Sequence, residues 1–416
     1  MQRRAIYAIG VALSFIVMFS VVRVVQENNV GVGPVKTAPA PDGRSREIAF
    51  VANGIGGTVT LIDIGSKTAV GEIDVLPDGD RVGFFRDPVT SLFWQPFIES
   101  RAGLNYAQDT DVSPDGTVLY VARAHLGDIA AFDIATGDLM WRVRIPGARS
   151  DHMAISPDGS KLFVAALTEN KVIVIDTATA RKVGSFMSGA WPHDNHVTKD
   201  GKYIYNASLG DMTKEVDVRD NVKKATNRKG YAYQITLADA ETFEVIDRYR
   251  FDAGIRPFAV TSDRKTIFAQ LSNTHAVVRH DIDRREVVDR VDLPVSEGVT
   301  EDDWDFEAPH HGLALSSDER TLCIAGRASD YAAIVAADGF EILGVVPVGD
   351  APSWAVIDKS GEYCILANTR SDDVSIVSLT EKQEVARIKA GDYAKHITLA
   401  DVPEKVLAVM KPGDPK

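Results

Sequence analysis

The tetrapeptide Ser113-Pro114-Asp115-Gly116 returns as Ser156-Pro157-Asp158-Gly159. Worn copies follow at Thr198-Lys199-Asp200-Gly201, Thr261-Ser262-Asp263-Arg264, Ser316-Ser317-Asp318-Glu319 and Asp358-Lys359-Ser360-Gly361. The steps between them are 43, 42, 63, 55 and 42 residues, so the unit is about 42 residues with two copies stretched by insertions. A repeat of that length predicts one blade of a β-propeller.

The copy over residues 152–187 shows the expected blade most clearly. Met153-Ala154-Ile155 runs into a turn whose Pro presets φ and whose Gly tolerates positive φ. Leu162–Ala165, Lys171–Asp176 and Lys182–Phe186 then read as three further strands rich in Val, Ile and Phe. First strands are expected near Asp109, Asp151, Asp194, Arg256, His311 and Ser353, with a seventh at Lys395–Leu399. The chain ends soon after that seventh start. Its beginning offers Ile48–Val51, Val59–Ile64 and Val70–Val75 without a first strand of their own. The fold class predicted is therefore all-β, a seven-bladed propeller whose two ends join in one shared blade and leave no open sheet edge. Which end supplies the second strand of that blade stays open.

Ahead of the ring, Arg3-Arg4 precede eighteen uncharged residues, Ala5–Val22. As a helix they would span about 27 Å at roughly 1.5 Å per residue, near a bilayer core. A cleaved signal would have a shorter apolar run followed at once by small residues, whereas Arg23-Val24-Val25-Gln26-Glu27-Asn28 follows here. The organisation expected is a transmembrane anchor over 1–25, a flexible tether over 26–45, and a propeller over 46–416. The arginines would hold the N-terminus in the cytoplasm and place the propeller in the periplasm or outside the cell.

Net charge is −13 and no basic stripe interrupts it. Nucleic acid is excluded as a partner on that ground, since phosphates demand clustered Lys and Arg. The one dense basic stretch, Lys223, Lys224, Arg228 and Lys229, follows Glu215, Asp217 and Asp220 and reads as a solvated loop. The two cysteines, Cys323 and Cys364, fall in second strands of neighbouring blades. Such strands are expected to stand too far apart for a disulfide, so two buried thiols are predicted.

Loops joining strand four to strand one, and strand two to strand three, open on one face of a propeller. The long insertions Leu76–Gln108, Leu209–Gly230 and Leu293–Pro309 all fall in such loops. Long loops on a rigid scaffold usually carry binding residues. Six of the nine histidines, His152, His193, His196, His310, His311 and His396, lie at the starts of first strands, which line the channel. Asp109, Asp111, Asp151, Asp194 and Asn195 accompany them. Imidazoles with carboxylates behind them suit a transition metal such as Zn, Cu or Fe. A small polar ligand fits the same groups, and so do histidines that merely bond backbone carbonyls.

The run Lys161–Ala165 followed by Lys171–Thr179 resembles the YVTN β-propeller repeat, and the resemblance covers nearly the whole chain beyond residue 45. More loosely the chain is similar to the propellers of nitrous-oxide reductase, nitrite reductase and lactonases of the 6-phosphogluconolactonase kind. Tandem His310-His311 carries the likeness to the first of these, whose resemblance implies a copper cluster held by channel histidines. A haem, which the second implies, lacks a Cys-x-x-Cys-His attachment here, and no cupredoxin domain or Cys-rich copper motif follows the ring. The function expected is an extracytoplasmic propeller binding a metal ion or small polar ligand in a His/Asp pocket at the insertion-bearing end. One alternative is a lactonase-like hydrolase or metal-dependent oxidoreductase, with Asp111 or Asp194 as base. The other is an interaction scaffold that grips a partner protein. Arg123, Arg256 and Arg327 on the same face are expected to be solvated, or else to clamp an anion.

Overall fold

In a computed structural model the described residues are 43–80, 92, 96, 104–147, 149–210, 233–305 and 308–410. The expected anchor and most of the tether lie outside them, as do most of the first insertion and nearly all of the second. Among the described residues no helix is long and apolar enough to cross a membrane.

Among the described residues twenty-eight strands form seven four-stranded antiparallel sheets. The repeated turn explains why the unit recurs. The hydroxyl of its first residue donates to the carboxylate two residues on: Ser113 to Asp115 at 2.5 Å, Ser156 to Asp158 at 2.6 Å, Thr198 to Asp200 at 2.6 Å and Ser316 to Asp318 at 2.6 Å. This side-chain clasp fixes the turn locally. The fourth position needs positive φ in every copy, and the worn copies obey: Arg264 and Glu319 sit at 58° and 59° where Gly116 sits at 68°. At Gly116 a side chain is also barred sterically, because a Cβ there would meet the Asp401 carbonyl oxygen at 2.1 Å.

The ring closes as expected, and the open point is resolved. Ala394–Pro403 from the C-terminal end is the inner strand of the shared blade, and Ser45–Asn53, Thr58–Asp63 and Thr68–Asp74 supply the other three. The pairing of Ile48–Ala52 with Ala400–His396 replaces two sheet edges by one continuous ladder. Beyond it Glu404–Leu407 turns into a single helical turn.

No single core fills the ring. Each apolar cluster lies between adjacent blades, as where Tyr120, Trp141 and Val143 of one blade pack on Met153, Leu162 and Val164 of the next. Each blade is thus stabilised by its two neighbours.

Cys323 and Cys364 correct the expectation of free thiols. They form a disulfide between neighbouring blades, with Cα atoms 6.4 Å apart. Sheets packed face to face stand about 10 Å apart, but propeller blades converge toward the axis. Near the hub, facing strands come within bridging distance.

Candidate metal centre in the channel

Inner strands carry a bulge where the channel is most polar. Between Ser150 and Met153, Pro192 and Asn195, and Ile255 and Phe258, the inner strand has one residue more than its partner. The shared blade does the same between Ala394 and His396, as does the blade at Pro352 and Trp354. A bulge re-aims side chains out of strict alternation. Consecutive residues are therefore delivered to one place: Asp151 with His152, and His193 with Asp194.

Four of the six predicted histidines come together there. The His152 and His193 rings are 4.5 Å apart, His152 and His396 5.3 Å, and His193 and His311 5.5 Å, centroid to centroid. Trp354 is wedged among them, stacked on His152 at 4.9 Å and tilted against His396 at 4.0 Å. Gly312 lets the backbones close at this level, since a Cβ there would meet Trp354 backbone atoms at 2.8 Å.

Carboxylates and carbonyls organise the rings. Asp109 stands between two imidazoles, 2.9 Å from Nδ1 of His396 and 3.3 Å from Nδ1 of His152. Neither contact has hydrogen-bond alignment, so both buried Nδ1 atoms are without a hydrogen-bond partner. Asp151 differs. It is hydrogen-bonded to His193 Nδ1 at 2.8 Å, which leaves the buried Nε2 of His193 unpartnered among the described residues. His311 Nδ1 is 2.8 Å from the Ser353 carbonyl, and a carbonyl only accepts, so the proton sits on Nδ1. Among the described residues two sets of donor atoms are close enough to hold one ion: Asp109, His152 and His396, and Asp151, His152 and His193.

Burial pushes the Asp109 carboxyl up, but His396 and His152 more than offset it and hold it well below the usual range. Asp151 behaves alike under burial and the opposing pull of His193. Burial, set against the attraction of Asp151, lowers His193 to about 4. Burial drives His311 well down, with His193 and Arg256 adding to it, and it outweighs Asp109 in lowering His396. At neutral pH these three rings are neutral and both carboxylates ionised, the states that metal ligation requires. His152 is the exception: burial works against its charge, yet the neighbouring Asp109 carboxylate lifts it above its ordinary value.

Beyond the rings, toward the face of the repeated turns, the channel holds a cavity of about 260 Å³. Its lining includes Asp109, Asp111, Asp194, His196, Trp354 and His396. The cavity thus lies along the channel from the rings, away from the insertion-bearing end. Burial raises Asp194 to about 7 and, with the charge of Asp109, raises Asp111 well above the ordinary carboxylate. Both hold backbone amides, Asp111 that of Ile155 at 2.7 Å and Asp194 that of Phe258 at 3.3 Å.

Two predicted histidines stand apart. His196 lies further along the channel, exposed, against Phe258 at 6.1 Å. His310 turns away from His311 into a separate group with His275 at 4.7 Å and the Tyr331 hydroxyl at 3.2 Å. Only one member of the tandem pair faces the channel. The arginines are not solvated either: Arg123 is fully buried on Asp128 and Asp78, Arg327 is held by Asp305 at 2.7 Å, and Arg256 Nε donates to Ser272 at 3.0 Å. Sequence reading placed Trp354 at a channel entry, where an aromatic could wall a pocket, but passed over Gln108, Arg149 and Lys395. The paired polar residues at strand starts were the available signal.

No protein-family model matches the chain, and neither does any curated protein. Among solved structures, hydrazine synthase from Kuenenia stuttgartiensis is similar over 85% of this chain and 98% of that chain, with a TM-score of 0.60 and 20% sequence identity. At that identity the likeness speaks to the fold alone. The fold and site define a seven-bladed β-propeller with His/Asp groups able to bind a metal in its channel.

Proposed function

We propose that this protein binds one transition metal ion through Asp109, His152 and His396, and acts on or senses a small polar molecule in the adjoining cavity. The observation that carries the reading is the pair of buried, unaligned Nδ1 atoms of His152 and His396 facing one ionised carboxylate. Asp109 already accepts the backbone amides of Thr110 and Met153, but the two buried Nδ1 atoms are unsatisfied, which an ion between them and the carboxylate would repair. Two imidazoles and a carboxylate suit Zn, Cu or Fe, and such an ion would supply Lewis-acid or redox chemistry. Asp151 orients His193 beside the site. Asp111 and Asp194, both with raised proton affinity and Asp194 near neutrality, line the cavity as candidate bases. A cavity of this size, below that of drug-sized pockets, fits a molecule of few heavy atoms.

The placement proposed is extracytoplasmic, behind an N-terminal anchor. The disulfide between Cys323 and Cys364 supports it, because such bonds persist in oxidising compartments. We place the chain with the YVTN-repeat propellers on its turn-and-strand pattern, and a propeller enzyme of the same architecture exists in the hydrazine synthase named above.

The deciding experiment is elemental analysis of protein purified from its native compartment without chelator. About one equivalent of Zn, Cu or Fe, lost in His152→Ala, is expected. Protein with no stoichiometric metal before and after reconstitution would point instead to an interaction scaffold.

A further inference from the structure

Above the histidines, on the insertion side, the amide of Gln108 occupies an unusual position. Its Oε1 accepts from Lys395 Nζ at 2.6 Å, from Arg149 Nη2 at 2.8 Å and from Asn105 Nδ2 at 2.5 Å. One neutral amide oxygen with two acceptor sites thus serves three donors, one of them the Arg149 guanidinium. The Nε of Arg149 is buried as well and has no partner among the described residues. The Asp151 carboxylate stands 3.8 Å from Arg149 and is engaged by His193 and by Gln108 Nε2 at 2.7 Å. A guanidinium and a buried lysine amine crowd one neutral acceptor while donor capacity is left over, so the surplus donors call for an anion.

We propose that Lys395 and Arg149 form a binding site for a small oxyanion, a carboxylate or phosphate group, at the rim of the channel. The ligand would take the donors now crowded on Gln108, and the planar guanidinium with the ammonium would grip two of its oxygens. Gln108 ties this site to the one below, since its Nε2 is 3.2 Å from His152 Nε2. An anionic group at the rim therefore sets the rest of a small molecule against the His152 ring. The rim site stands on its own hydrogen bonds and does not depend on a metal being bound.

Calorimetric titration of chelator-treated protein with malonate, inorganic phosphate and neutral acetamide tests this. Malonate or phosphate is expected to bind, the tighter of the two identifying the group, and acetamide to give no heat. Lys395→Gln and Arg149→Gln should each weaken the oxyanion at least tenfold, and Lys395→Arg should restore it, with unchanged circular dichroism in all three. No binding of either oxyanion, equal binding of acetamide, or full affinity in both glutamine variants would overturn the proposal. Metal content measured in parallel separates failure of this site from failure of the histidine site.

Discussion

Asp109 lies 2.9 Å from Nδ1 of His396, although nearly three hundred residues separate them in the chain. Closing the ring with the last inner strand sets that strand beside the blade that starts at Asp109. Asp109 and His396 thereby meet across the two blades at the closure.

Asp109→Asn keeps the shape and removes the charge. Metal retained after dialysis against a weak chelator should fall to background, and the His152 ring, deprived of the partner that raises it, should titrate at lower pH in the metal-free protein. Proton NMR of the imidazole resonances follows the second effect. An unmoved His152 titration would contradict the assignment.

His152→Ala and His310→Ala separate the channel group from the group beside it. The first should abolish stoichiometric metal. The second should leave it intact while costing stability of about 1–3 kcal/mol, because the Tyr331 hydroxyl and a buried pocket lose a partner. Equal metal loss in both would mean that the grouping is misread.

Asp194 gives the pH prediction. Its folded-state value is raised to about 7, above the ordinary carboxylate, so the folded state favours the protonated form. That contribution is complete below about pH 4 and is lost as pH rises through 7. Asp194→Asn, neutral throughout, should gain on the wild type between pH 4 and 7 by up to about 4 kcal/mol and then level off. Urea unfolding of metal-free protein at pH 4, 6 and 8 checks the sign; a constant difference would contradict it.

Cys323→Ser with Cys364→Ser should destabilise the propeller by about 4 kcal/mol, from the 41-residue separation that the bridge closes. Guanidinium midpoints with and without reductant measure it. A wild type indifferent to reductant, with two titratable thiols in the native state, would mean the bridge does not form.

The repeat was legible because its cause is local. Ser113 and Asp115 are two residues apart, and their hydrogen bond shapes the turn wherever the pattern recurs. That histidines at first-strand starts face the channel was readable too, although the pattern did not part His152, His193, His311 and His396 from His196 and His310. Which of His310 and His311 faces inward was not, because backbone placement around Gly312, not residue type, decides it. Nor was the oversubscribed oxygen of Gln108, whose partners Arg149 and Lys395 come from two other blades.

Turn chemistry and strand period, both short-range, made the amino-acid sequence sufficient for seven blades, their order and the shared closure. Tertiary structure alone decided the disulfide, the bulges that bring adjacent residues into the channel, and the pairing of carboxylates with imidazoles across blades. Those depend on how far blades converge toward the axis, a distance that no spacing along the chain encodes.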